Sequence, residues 1–136
     1  MNNIKRDLNE LRNASEKIGN VIDLIQGAGG NTSVKVDDVL WVKASGCWLS
    51  DSINRNIFVP IDIDKALKAI EIGKVSNISI NKDLAFSDLS LRPSIETTLH
   101  ALMHHKFVVH AHAVNTLSIA VLSNSKEYLE NQLQGI

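Results

Sequence analysis

The sequence predicts an α/β domain. Two observations carry that expectation. Apolar residues recur at helical spacing in an N-terminal segment full of charges, and several short β-branched runs bounded by glycine, proline or paired acidic residues alternate with further helical patterns. The length agrees: 136 residues can bury about two-thirds of the surface the unfolded chain exposes, enough for one real core. A single domain over residues 1–136 is expected.

Each element has a local cause. Over residues 4–18, Ile4, Leu8, Leu11, Ala14 and Ile18 line one helical face, and Gly19 with Asn20 supplies the stop. Residues 26–33 form a glycine-rich turn. It leads into two strands, 34–36 and 39–43, around Asp37 and Asp38, which reads as a hairpin. Ala44, Ser45 and Gly46 close the second strand. Residues 56–61 form a third strand ending near Pro60, and Asp62 or Asp64 caps a short helix over 65–72, before Gly73. Residues 74–91 carry no clear period, although 78–80 have strand composition. Arg92, Pro93 and Ser94 open a helix with Ser94 as its N-cap, running to about His105. A strand over 107–113 and helices over 117–122 and 126–134 follow. No internal repeat or linker interrupts this order.

Composition excludes several functions. A hydrophobic fraction of 44% with 21% charged residues is globular, and a formal net charge of -1 leaves no basic footprint for nucleic acid or an anionic membrane. The single Cys47 allows neither an intramolecular disulfide nor a cysteine-rich zinc cluster, which suits a reducing compartment. Residues 1–7 lack the apolar core of a signal peptide, and no run of about 18 apolar residues occurs. A soluble, cytoplasmic protein is expected.

The chemistry concentrates near His110 and His112. Side chains at i and i+2 of a strand share a face, a little under ~7 Å apart along it, so the two imidazoles can converge on one ion. Core histidines bonded to backbone are the alternative. Glu96, in the first turn of the helix that feeds this strand, can meet them at one edge of the sheet. Catalytic zinc needs three protein ligands and an open position, and Glu96, His110 and His112 are a minimal set. A carboxylate merely favoured by the helix dipole is the simpler reading of Glu96 alone. His100, one turn further on, can back the same site, whereas His104 and His105 read as surface residues near the helix C-terminus. Residues 27–33 offer unobstructed N–H groups, with Asn31, Thr32 and Ser33 as further donors, in the manner of a phosphate-holding loop. The Walker and dinucleotide patterns do not fit, since no Gly-Lys-Ser/Thr follows and the loop leads into a strand. Trp41, Trp48 and residues 51–55 are candidates to shape a substrate pocket, but a packed tryptophan pair and a solvated turn are the simpler readings.

Taken in order, Gly29-Gly30-Asn31-Thr32-Ser33, Ala44-Ser45-Gly46, Arg92-Pro93-Ser94-Ile95-Glu96 with His100, and His110-Ala111-His112 resemble the class II aldolase/adducin family. Its members include the fuculose-phosphate and rhamnulose-phosphate aldolases and aldolase-like modules found alone or fused to a short-chain dehydrogenase. The resemblance runs from about Leu24 to Asn115 and covers about the first two-thirds of the family's usual domain, so the C-terminal third is expected to be missing. It implies a three-layer α/β/α fold with a central, largely antiparallel sheet and zinc, or another divalent metal, at its edge. By this resemblance His110 and His112 match the paired zinc histidines, and Glu96 matches the carboxylate that approaches the metal and moves protons. Gly30, Asn31, Thr32 and Ser33 match the phosphate loop, Ser45 and Gly46 a second substrate-binding turn, and Ser94 a further phosphate contact.

The implied function is a metal-dependent aldolase-type lyase acting on a phosphorylated ketose or related hydroxy-carbonyl sugar. Epimerisation of a pentulose phosphate or dehydration of a thio-sugar phosphate on the same scaffold are alternatives, as is an inactive, adducin-like module. Family epimerases tend to carry Asp where Glu96 stands, which favours the aldolase. The family's third zinc histidine comes from its C-terminal part, and no histidine follows His112 here, which favours lost activity. Tyr128 lies in the region of the tyrosine that aldolases lend between subunits, but not at its spacing. The expected partners are a small sugar phosphate and further copies of the chain, with neither nucleic acid nor membrane. Outside the family stands a helix-rich interaction domain with structural histidines, which metal titration would separate.

Overall fold

A computed structural model describes residues 2–80 and 91–134. The first helix, α1, spans Asn2–Gly19. Leu8 and Leu11 are buried, and Ile4 and Ile18 pack at the margin of the same core, as their spacing requires. The helix ends where a 3-10 turn, Leu49–Ile53, crosses it. A Cβ on Gly19 would stand 2.4 Å from the Ser50 backbone nitrogen, so close approach of two backbones selects glycine there.

The described strands are β1 (Asn31–Val36), β2 (Val39–Lys43), β3 (Phe58–Asp62) and β4 (Phe107–His110). They form one antiparallel sheet in the order β3-β2-β1-β4. The expected hairpin is present: Val36 pairs with Val39 around Asp37 and Asp38, with Asp37 at a φ of 52°. Strand β1 begins at Asn31, three residues before the apolar run that announced it. Asn31, Thr32 and Ser33 are fully or almost fully buried and pair with His110, Val109 and Val108. Polar residues are tolerated there because two of them have partners on opposite faces. Thr32 Oγ1 meets Ser15 of α1 at 2.7 Å, and Ser33 Oγ meets His100 at 2.7 Å. Because side chains alternate along a strand, α1 covers one face and the segment holding His100 covers the other. The sheet therefore lies between helix layers.

Pro60 lies inside β3, opposite Trp41, and an edge strand tolerates it. Asp62 ends β3 and caps helix α2 (Ile63–Glu71), its Oδ1 accepting from Lys65 N at 2.9 Å. A short 3-10 turn, Val75–Asn77, follows, and Ile78 to Ile80 form no strand. The remainder of the unassigned stretch, residues 81–90, lies outside the described residues. Helix α3 spans only Thr97–Leu102, shorter at both ends than its sequence suggests. Ser94 caps the preceding turn, its Oγ accepting from Glu96 N at 3.3 Å and its carbonyl from Thr97 N at 3.1 Å. Glu96 therefore occupies the N-cap position, not the first turn.

Strand β4 stops at His110, three residues early, because Gly30 at φ 65° turns its partner strand away. The chain then bonds to residues 23 and 24 instead, with His112 N on Leu24 O and Val114 N on Asp23 O, both at 2.8 Å. Helices α4 (Val114–Ala120) and α5 (Ser125–Gln132) come last; neither has a buried residue, and Leu117, Val121 and Leu129 are exposed. The two tryptophans are not a packed pair: Trp41 is 3% exposed in β2, whereas Trp48 is 54% exposed. The difference follows from position, since Trp41 faces into the sheet core and Trp48 stands just before the 3-10 turn that contacts α1. No helix among the described residues is long and apolar enough to cross a membrane.

Candidate metal centre

The sheet register sets the first of the candidate ligands. Asn31 pairs with His110, so both project from the face that carries His100. His112 lies beyond the strand, and its place comes from the bond of its N–H to Leu24 and from Gly29. A Cβ on Gly29 would fall 2.9 Å from His112 Nδ1, so the imidazole occupies space that only glycine leaves open. Glu96 arrives from the start of α3. Its Oε1 stands 2.8 Å from His110 Nδ1, but off the axis that a hydrogen bond requires. The His110 and His112 rings are 5.0 Å apart at an interplanar angle of 68°.

One ligand atom from each of Glu96, His110 and His112 lies within 4.8 Å of the others. In tetrahedral zinc, bonds near 2.0–2.2 Å put neighbouring ligand atoms about 3.3 Å apart, so small side-chain rotations convert this triangle into a coordination face. All three residues are half-buried. Two imidazoles and a carboxylate suit zinc or a similar divalent ion. His104 and His105, expected at the surface, are exposed. His100 is fully buried, with Nδ1 2.7 Å from Ser33 Oγ and Nε2 without a partner among the described residues. Burial holds its imidazole down to about 4, against the opposing pull of Glu96, and the His110 and Lys35 charges add to the depression. It is neutral near pH 7 and stands behind Glu96, outside the ligand triangle.

The expected substrate contacts divide into two sets. Asn31 is buried beside His110 with both amide atoms lacking a partner among the described residues, a cost of about 1–3 kcal/mol for each unmet group. The Thr32 and Ser33 hydroxyls are instead engaged by Ser15 and His100. Gly30 is required by packing, since a Cβ there would be 2.2 Å from Ile25 Cδ1. Ser45 and Gly46 stand beside the Arg92 to Ser94 segment, through Ser45 N on Arg92 O at 3.0 Å and an Ala44–Pro93 bridge. Among the described residues nothing lies within 4 Å of a Cβ placed on Gly46.

Lys43 was not singled out by residue pattern, yet it joins these loops. Its buried ammonium donates to Ala28 O at 3.0 Å and Cys47 O at 2.7 Å. Burial lowers its pKa, opposed by the Cys47 and Glu96 charges. The available signal was a lysine within an otherwise apolar strand, directly before Ala44-Ser45-Gly46.

Fold and site together define an antiparallel α/β domain with a carboxylate and two histidines converging at the end of an edge strand. Residues 9–134 match the Class II Aldolase and Adducin N-terminal domain, and the chain belongs to that family. The N-terminal Class II Aldolase domain of a conserved protein from Thermoplasma acidophilum matches with a TM-score of 0.70 and 33% identity, covering 93% of this chain and 64% of that one. The uncharacterized oxidoreductase YuxG of Bacillus subtilis (strain 168) is 29% identical over 139 residues, 94% of this chain and 20% of that protein. The chain thus spans a fifth of the curated relative's length and less than two-thirds of the solved chain.

Proposed function

We propose that this domain is a divalent-metal-dependent lyase of the aldolase type, acting on a phosphorylated ketose or a related hydroxy-carbonyl sugar. The observation that carries the reading is the convergence of Glu96, His110 and His112 within 4.8 Å in a member of the class II aldolase family. These three residues would hold the ion. Zinc bound there supplies a Lewis acid that polarises a carbonyl oxygen. Glu96 is the proton carrier: in the condensing direction its carboxylate takes a proton from the carbon next to the carbonyl and returns it in cleavage. The unmet Asn31 amide accepts and donates to substrate oxygens. The backbone at Gly30 and Gly46, with Ser45 and Ser94, receives the phosphate; Thr32 and Ser33 serve it by setting the course of β1.

The same proton abstraction serves an epimerase or a dehydratase, and product analysis separates them. A module that binds metal without turnover is the other outcome that the same measurement reads. The deciding experiment measures zinc per chain, untagged, for the wild type and the doubly substituted His110→Ala, His112→Ala protein, followed by cleavage of a ketose 1-phosphate. Near-stoichiometric zinc lost in the variant, with triose formed by the wild type, is the expected result. Zinc without product leaves the binding module, and a folded wild type without zinc refutes the metal site.

A further inference from the structure

Helix α3 is six residues long, and Glu96 at its N-cap makes no side-chain capping bond. So short a helix has little stability of its own, and its position is set by whatever grips it. Two side chains of β1 do so. Ser33 Oγ lies 2.7 Å from His100 Nδ1, both residues fully buried. Two residues on, and therefore on the same face, Lys35 Nζ donates to the carbonyls of His100 at 2.7 Å, of Met103, and of His105 at 3.3 Å. All three ammonium protons go to the end of α3 and the segment leaving it. His100 N in turn donates to Glu96 O at 3.1 Å, so the residue that β1 grips is one backbone hydrogen bond from Glu96. The other end of β1 pairs Asn31 with His110. One strand thus locates His110 through its ladder and Glu96 through α3.

We infer that Lys35 and Ser33 are positioning residues of the metal centre, setting where Glu96 stands against His110 and His112 without touching a ligand atom. This rests on the metal reading proposed above. Ligand distances tolerate only about 0.2 Å, and a site held about 1 Å too loosely is a recognised cause of failure. Release of α3 therefore weakens metal binding before it unfolds the domain.

The experiment uses the full chain as wild type, Lys35→Met, Ser33→Ala and Ser52→Ala. Ser52 is a matched control, a buried hydroxyl that donates to Arg12 O at 2.8 Å between the 3-10 turn and α1. Zinc affinity is read by competition with a chromophoric chelator, geometry by the visible spectrum of the cobalt-substituted protein, and stability by thermal melting. The expected result is zinc binding weakened about tenfold in Lys35→Met and Ser33→Ala, with an altered cobalt spectrum, while Ser52→Ala melts earlier and binds zinc as the wild type does. Should Lys35→Met not fold, Ser33→Ala decides. Wild-type affinity in both β1 variants, or equal weakening in Ser52→Ala, overturns the inference while leaving the metal site intact. A folded wild type that binds no zinc refutes the metal reading and this inference with it.

Discussion

Gly29→Ala tests the geometry of the site through one methyl group. Gly29 has no left-handed backbone, so alanine is conformationally acceptable. The conflict is purely spatial: the new Cβ would stand 2.9 Å from His112 Nδ1, 3.3 Å from His112 Cε1 and 2.9 Å from Gln26 O. Ordinary contact begins near 3.4 Å, so the imidazole must retreat by about half an ångström, more than the ~0.2 Å a ligand set tolerates. Overpacking of this kind costs about 1–3 kcal/mol, and zinc affinity should fall about 10- to 100-fold. Competition with a chromophoric chelator measures the second effect and urea denaturation the first. Gly30→Ala provides the contrast, since its Cβ would be 2.2 Å from Ile25 Cδ1 at a φ of 65°, and it should damage folding before binding. Wild-type zinc affinity in a folded Gly29→Ala protein would refute the placement of His112 against the glycine loop.

Three further outcomes are expected. Asp37→Val, which places a β-branched residue at a φ of 52°, should cost about 1–2 kcal/mol in chemical denaturation, and an undiminished midpoint would rule out the hairpin turn described. His100, held down to about 4 from 6.5, refuses a proton that the unfolded chain accepts; stability should therefore be complete above about pH 6.5 and fall as pH drops towards 4. His100→Gln should flatten that slope, and an unchanged slope would assign it to other groups. With Trp48 exposed and Trp41 buried, Trp41→Phe should retain red-shifted, acrylamide-quenchable fluorescence and Trp48→Phe should not; the reverse would contradict the burial of β2.

Helix α1, the β1–β2 hairpin, and α2 with an aspartate cap at its start, Asp62 or Asp64, could be read from residue order because their causes are local; the structure selects Asp62. A helical stripe, a two-residue turn and a carboxylate three residues from the N–H it accepts all act within a few positions. The candidate ligands were singled out for another reason: two imidazoles and a carboxylate carry their chemistry wherever they are placed. The three side chains do meet, within 4.8 Å, but not by the shared strand face that residue order suggested. His112 does not share a strand face with His110; it lies past the strand, brought in by Leu24 and the space above Gly29.

The remaining features depended on partners distant in the chain. Asn31, Thr32 and Ser33 look like loop because they are polar. They are strand because Ser15, 17 positions away, and His100, 67 positions from Ser33, meet two of their hydroxyls. The early end of α3 depends on Lys35, and Lys43 acquires its role only where Ala28 and Cys47 approach it. Sequence by itself determined the periodic elements and the chemical inventory of the site. Tertiary structure alone decided where polar residues are buried and where elements stop, because a buried polar group is stable only opposite its partner, and that partner is supplied by packing.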